Sequence, residues 1–167
     1  MKLNKKGFTL IELLGVVLVL AILLGIAVVA VNKSIQRSKD KTFKVLLSSL
    51  EDGALQAYTE CIVNGSRDFC QTHKLSSNPS TTQVITITLG DLVNNGYIDD
   101  FKNPYNTSET CDLTASYIKI GNKNNTEIGN QDDNQNTKLY DYLTSVSEDY
   151  GYKSCLICGS KRSDGCN

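Results

Sequence analysis

The sequence predicts an α+β fold: a long N-terminal α-helix, membrane-spanning in its first half, packed on a small antiparallel β-sheet headgroup. Three observations predict it. From Leu13 to Val31 the chain carries no charge, a helical length of about 28 Å against the roughly 30 Å of bilayer hydrocarbon. Beyond Val31, apolar residues recur at helical spacing as far as Ile62. The second half is rich in Asn, Asp, Ser and Thr, and β-branched runs within it alternate in the manner of strands.

The chain has 167 residues, enough for one domain of ordinary size, and its 17 basic and 18 acidic side chains leave a net charge of −1. Such a balance gives no footing for direct nucleic-acid binding. It also hides an asymmetry, because Lys2, Lys5 and Lys6 stand in the first seven residues with no acid among them. From Phe8 to Val31 every residue is apolar or Gly except Thr9 and Glu12. Glu12 is the anomaly, since a carboxylate in hydrocarbon costs about 2.5–3.5 kcal/mol.

Two ordinary readings leave that acid without a purpose. A secretory signal peptide would be cut ahead of Val31, after the small residues Val28 and Ala30, although secretory apolar cores usually run only about 7–15 residues. An uncleaved signal anchor would hold an extracytoplasmic binding module that does not polymerise. Charge alone does not orient the span, because Lys33, Arg37, Lys39 and Lys41 follow it as closely as the N-terminal lysines precede it.

The run Lys5-Lys6-Gly7-Phe8-Thr9-Leu10-Ile11-Glu12-Leu13-Leu14 resembles the start of a type IV pilin or pseudopilin precursor. The resemblance implies that a prepilin peptidase cuts on the cytoplasmic side between Gly7 and Phe8, then methylates the new amine of Phe8. Residues 1–7 would then be a leader, 8–31 a transmembrane and filament-core helix, 32–63 its amphipathic continuation, and 64–167 a disulfide-stapled headgroup. The implied partners are other pilin subunits, the prepilin peptidase, a membrane assembly platform and the lipid bilayer. The implied location is a single-pass membrane protein with its N-terminus in the cytoplasm, and later a filament outside the cell or in its envelope. Such filaments serve adhesion, motility, DNA uptake or type II-like secretion. Glu12 gains a role, because its carboxylate can neutralise the Phe8 amine of a neighbouring subunit where water is scarce. One departure from the family's pattern is the absence of a proline near Val29. Gly15 and Gly25 are the weak points there, each costing about 1 kcal/mol against Ala in a helix.

The helix is expected to run from Phe8 to Val63, about 84 Å. Its stripe comprises Ile35, Thr42, Val45, Leu46, Ser49, Leu50, Ala54, Ala57, Tyr58, Cys61 and Ile62, and Asn64-Gly65 supplies a stop. Ser38 to Lys41 reads as a solvated face or as partners for acids on neighbouring subunits. Residues 64–83 read as a loop, and Val84 to Thr88 as a strand. Thr88 caps a short helix, Leu89 to Asn95, that Gly96 ends. The run from Leu89 to Ile98, followed by Asn103-Pro104-Tyr105, is similar to a segment common in pilin-like headgroups. Ser116 to Ile120 reads as a strand and residues 121–137 as an exposed loop. Leu139, Tyr142, Leu143 and Val146 fit a helix, although Tyr140 and Tyr142 also suit a strand. Lys153 to Ile157 reads as the last strand and Gly159 onward as a tail.

Six cysteines, Cys61, Cys70, Cys111, Cys155, Cys158 and Cys166, all lie beyond the apolar run. Three bridges are expected in a small headgroup outside the cytoplasm, with Cys61–Cys70 the natural local pair. The pairing of the other four stays open. Cys155, Cys158, Cys166 and His73 could instead furnish four zinc ligands, and Cys155-Leu156-Ile157-Cys158 has the spacing of a redox motif. A redox motif belongs between a strand and a helix, whereas Gly159 leads into a charged tail. His73, the only histidine, reads as a loop residue. Asp132, Asn134 and Asn136 alternate as calcium ligands can, but Thr137 and Leu143 stand where an EF-hand needs Gly and Glu, so no metal is expected. Asn64-Gly65-Ser66, Asn106-Thr107-Ser108 and Asn124-Asn125-Thr126 match the glycosylation sequon. With no nucleophile–base pair, phosphate-cradling loop or paired carboxylates, the chain is not expected to be an enzyme or to hold a cofactor.

Overall fold

The computed structural model describes residues 9–63, 68–73, 83–128 and 137–166, and within its first helix leaves aside the side chains of 26–30. Contacts divide the chain into two units, Met1–Asp40 and Lys41–Asn167. Helix α1, Leu10–Val63, enters both. In the first unit the large apolar side chains from Leu10 to Leu24 are each more than half exposed. Among the described residues no helix is long and apolar enough to cross a membrane.

In the second unit α1 is amphipathic and one face is closed. Phe43, Leu50, Ala54, Ala57, Tyr58 and Cys61 are buried there, and Leu46 and Leu47 pack against them. The expected stripe thus holds from Leu46 onward. At its start it is shifted: Ile35 and Val45 are exposed and Phe43 is buried. Gly53 lies on the closed face, and a Cβ there would sit 2.5 Å from Ile98 Cγ2. Its missing side chain is what lets Ile98 approach the helix, which offsets the helix propensity lost.

The covering sheet has three antiparallel strands in chain order: β1 (Ile85–Thr88), β2 (Tyr117–Asn122) and β3 (Tyr150–Cys155). Ile85 pairs with Ile120 and Ile87 with Ile118, and on the other side Ile120 faces Tyr152 and Ile118 faces Ser154. This alternation sends one side of each strand into the core, while Thr86, Lys119 and Lys153 stand on the more open side. Strand β2 is longer than expected, because Gly121 and Asn122 continue the ladder opposite Gly151 and Tyr150.

Three further helices frame the sheet. Helix α2 (Asp68–Thr72) lies within the segment expected to be a loop, and it buries Phe69 and Cys70. Helix α3 (Leu89–Asn94) is capped as the sequence predicts. The Asp91 N–H donates to Thr88 Oγ1 at 3.1 Å, and the Thr88 N–H donates back to Asp91 Oδ2 at 2.9 Å. At its other end Gly96 adopts φ 75°, and the Gly96 and Tyr97 N–H groups donate to Val93 O and Leu92 O. Closing a helix with that bond pair needs a left-handed residue, which is why Gly ends it. Helix α4 (Lys138–Val146) settles the ambiguity around Tyr140 and Tyr142, burying Leu139 and Leu143 beneath a Thr137 cap.

The C-terminus is not a free tail. Beyond β3, strands β4 (Ile157–Cys158) and β5 (Lys161–Arg162) form a hairpin around Gly159-Ser160, and a 3-10 turn covers Asp164–Cys166. The arrangement is the α+β, pilin-like one that the sequence predicts.

Leu50 is fully buried between helix and sheet, whereas Val45 is 62 % exposed. Leu50→Ala is expected to cost about 2–5 kcal/mol, and Val45→Ala to stay within about 0.5 kcal/mol. Urea unfolding of the headgroup, followed by near-UV circular dichroism, checks both. Equal effects would mean that this helix face is not closed.

Candidate functional site

The residues that bear on function fall in three places, two of which the sequence analysis singles out. At the N-terminus, Gly7 and Phe8 lie outside the described residues, and the description begins at Thr9. Thr9 stands just before α1, and its carbonyl accepts from the Glu12 and Leu13 N–H groups at 3.1 and 3.2 Å. Glu12 therefore occupies the first turn, exposed, with Thr9 Oγ1 3.5 Å from its Oε2. A carboxylate at a helix N-terminus gains about 0.3–1 kcal/mol from the helix dipole. That is several-fold less than the cost of the same group in hydrocarbon. Local capping alone does not offset what an acid at the head of this apolar surface would cost in hydrocarbon. The Thr-x-x-Glu spacing was a readable signal for the helix start.

The second place is the set of cysteines. Cys61 bonds Cys70, Cys111 bonds Cys158, and Cys155 bonds Cys166. The first bridge ties the end of α1 to α2. Because Cys155 and Cys158 belong to different bridges, they form neither a redox pair nor half of a zinc site. His73, the remaining ligand of the zinc alternative, lies elsewhere. Its Nδ1 is 3.1 Å from Thr86 O, its Nε2 is 3.6 Å from Asp91 Oδ2, and its ring meets Phe69. It is thus a docking contact between α2 and the β1–α3 corner. The calcium candidates Asp132, Asn134 and Asn136 lie outside the described residues, and among the described residues no cluster could hold a metal.

The third place is one that the sequence analysis missed. Glu51 is buried at 3 % exposure on the closed face of α1. The Ser154 hydroxyl of β3 donates to its Oε1 at 2.7 Å, and the Tyr152 hydroxyl bonds to it as well. Tyr152 also meets Thr137 Oγ1 at 2.7 Å, so the chain of hydroxyls reaches the cap of α4. Burial pushes the Glu51 carboxyl above its ordinary range, with the bonds from Ser154 and Tyr152 opposing and the neighbouring Asp52 adding to the rise. Burial likewise raises the Tyr58 phenol to about 12, beside Tyr150 and Tyr142. A signal for Glu51 did exist, since it stands three residues before Ala54 and seven before Tyr58 on the stripe.

Against known proteins, residues 2–28 match the family model of the prokaryotic N-terminal methylation motif. No curated protein and no solved structure matches the chain. The match supports a type IV pilin- or pseudopilin-like prepilin signal at this end of the chain, and the headgroup lies outside it.

The buried carboxyl has a consequence for pH. Folded Glu51 holds its proton more tightly than the unfolded chain does, so its contribution to stability is greatest in acid. Stability is expected to fall as pH rises from the ordinary carboxylate range through the raised folded-state value. Glu51→Gln, which keeps a hydrogen-bonding side chain without the charge, is expected to flatten that slope. Thermal midpoints of both proteins between pH 4 and 8 check it, and parallel curves would assign the slope to other groups.

Proposed function

We propose that this chain is a structural subunit, a pilin or pseudopilin, of a type IV pilus-like filament, with no catalytic role. The observation that carries the reading is the match of residues 2–28 to the methylation motif. Glu12, exposed at the head of an apolar helix, supports it. In this reading a prepilin peptidase removes residues 1–7 by cutting between Gly7 and Phe8, and methylates Phe8. Residues 8–31 hold the precursor in the bilayer with the N-terminus cytoplasmic. Residues 32–63 carry the helix onward, and residues 64–167 stand outside the cytoplasm as the disulfide-stapled headgroup. A membrane assembly platform then lifts the subunit into the growing filament, which serves adhesion, motility, DNA uptake or secretion.

The apolar surface from Leu10 to Leu24 fits both stages, because lipid and neighbouring helices each exclude water from it. Glu12 distinguishes them. Among the described residues the contact of its carboxylate is with the uncharged Thr9 hydroxyl. In the filament the methylated Phe8 amine of an adjacent subunit remains cationic and lies within reach of one axial register. Charges attract strongly where water is excluded, and each is costly to bury alone, so the pair selects that register.

Two measurements test this. Protein matured in its native cell is expected to begin at Phe8 and to be one methyl heavier than its sequence. A start at Val31 would make it a secreted domain, and an intact Met1 a plain anchor carrying a binding module; either result rejects the filament reading. Glu12→Ala is expected to leave processing intact but to remove about 3–5 kcal/mol from each subunit contact, the loss typical of a broken buried ion pair. Sheared-filament yield reads that loss. Wild-type filament levels in the variant would leave Glu12 without this role.

A further inference from the structure

The three disulfides differ in access. Cys61, Cys70, Cys111, Cys155 and Cys158 are each at most 2 % exposed, whereas Cys166 is half-buried in the last 3-10 turn. Thiol–disulfide exchange needs a thiolate to approach one sulfur along the S–S axis, so access selects both the bridge and the sulfur attacked. We propose that Cys155–Cys166 is a thiol-exchange site, attacked at Cys166 Sγ by small thiols or dithiols, and that its opening releases a cover from the edge of β3.

In the first step the incoming thiolate forms a bond to Cys166 Sγ, the Cys155–Cys166 bond breaks, and the electron pair leaves on Cys155 Sγ. That thiolate takes a proton from solvent. Cys155 Sγ lies 3.7 Å from Ala115 O, so the thiol formed has an acceptor beside it and β3 need not move to satisfy it. A second thiolate then attacks the incoming thiol's sulfur in the mixed disulfide. Cys166 is released as a thiol, and the two external thiols are oxidised to their disulfide.

What the bridge retains is visible in the hydrogen bonds. Ser163 lies along the end of β3, where its Oγ accepts from Leu156 N–H at 2.9 Å and donates to Ser154 O at 3.4 Å. Its N–H donates to Leu156 O at 3.0 Å. These contacts cover polar groups on the side of β3 away from β2, the kind of strand edge that otherwise invites pairing with another chain. Cys155–Cys166 is the covalent tie that holds this segment down. Cys111–Cys158 anchors β4 separately, so exchange at Cys166 frees the segment beyond Gly159 without detaching the hairpin's first strand.

The test uses the full chain in detergent micelles, exposed to increasing dithiothreitol at pH 8, quenched with N-ethylmaleimide and mapped by peptide mass. Cys155 and Cys166 are expected to be labelled before any of the other four. Hydrogen exchange on the same partly reduced protein is expected to rise only between residues 150 and 166. Labelling of Cys61, Cys70, Cys111 or Cys158 at the same dithiothreitol concentration would overturn the proposal. So would exchange that rises together through residues 41–63 of α1, because the bridge would then open only with the headgroup as a whole.

Discussion

One face of a three-stranded sheet has to be removed from water, and α1 is the element that does it. Ile85, Ile87, Ile118 and Ile120 share one buried core with Leu50, Ala54 and Tyr58, and full burial of each large side chain is worth about 1.5–3 kcal/mol. A sheet of three short strands does not hold together on its ladder alone. Without the helix the strands lose their core, and without the sheet this half of the helix has an apolar stripe facing water. The other elements serve that contact. Helix α4 closes the β3 side with Leu139 and Leu143, and Gly53 lets Ile98 in close.

That contact contains a polar flaw, and its placement is informative. Glu51 projects into the seam where an apolar residue would pack more simply. Its carboxyl is retained by the hydroxyls of Ser154 and Tyr152 and kept closer to neutral by burial. A hydrogen-bonded acid at that point ties the helix to β3 in one register, since a slip of one residue along the strand would withdraw Ser154 from it. The bridges act on the same unit from its margins. The Cys111–Cys158 loop, 47 residues in separation, removes more freedom from the unfolded chain than the loops of 9 and 11 residues.

The first unit obeys different physics. Its large side chains from Leu10 to Leu24 are exposed in the isolated chain. In the proposed filament subunit their packing comes from outside the molecule, from lipid or from other subunits. The second unit is closed by its own contacts, whereas the large apolar side chains from Leu10 to Leu24 are left open. An acid at the head of such a segment is informative for that reason, because its contact among the described residues is a 3.5 Å one with the uncharged Thr9 hydroxyl.

Much of this was legible in the residues. The apolar run, the N-terminal motif, the Thr88 cap, the Gly96 stop and the alternation of Ile85 and Ile87 are local patterns, set by side-chain period, by hydrogen bonds three residues apart and by backbone preference. Such signals survive in a linear reading because both partners lie within a few residues of each other. Tertiary structure alone decided the rest. Ser154 reaches Glu51 across 103 positions of sequence, and Cys155 chose Cys166 rather than its near neighbour Cys158 because β3 ends between them and a new hairpin begins. The C-terminal segment, polar and charged enough to read as a tail, is ordered by the β3 edge that it covers. No property of those residues taken singly encodes such partners. They follow from which surfaces the packed helix and sheet bring together.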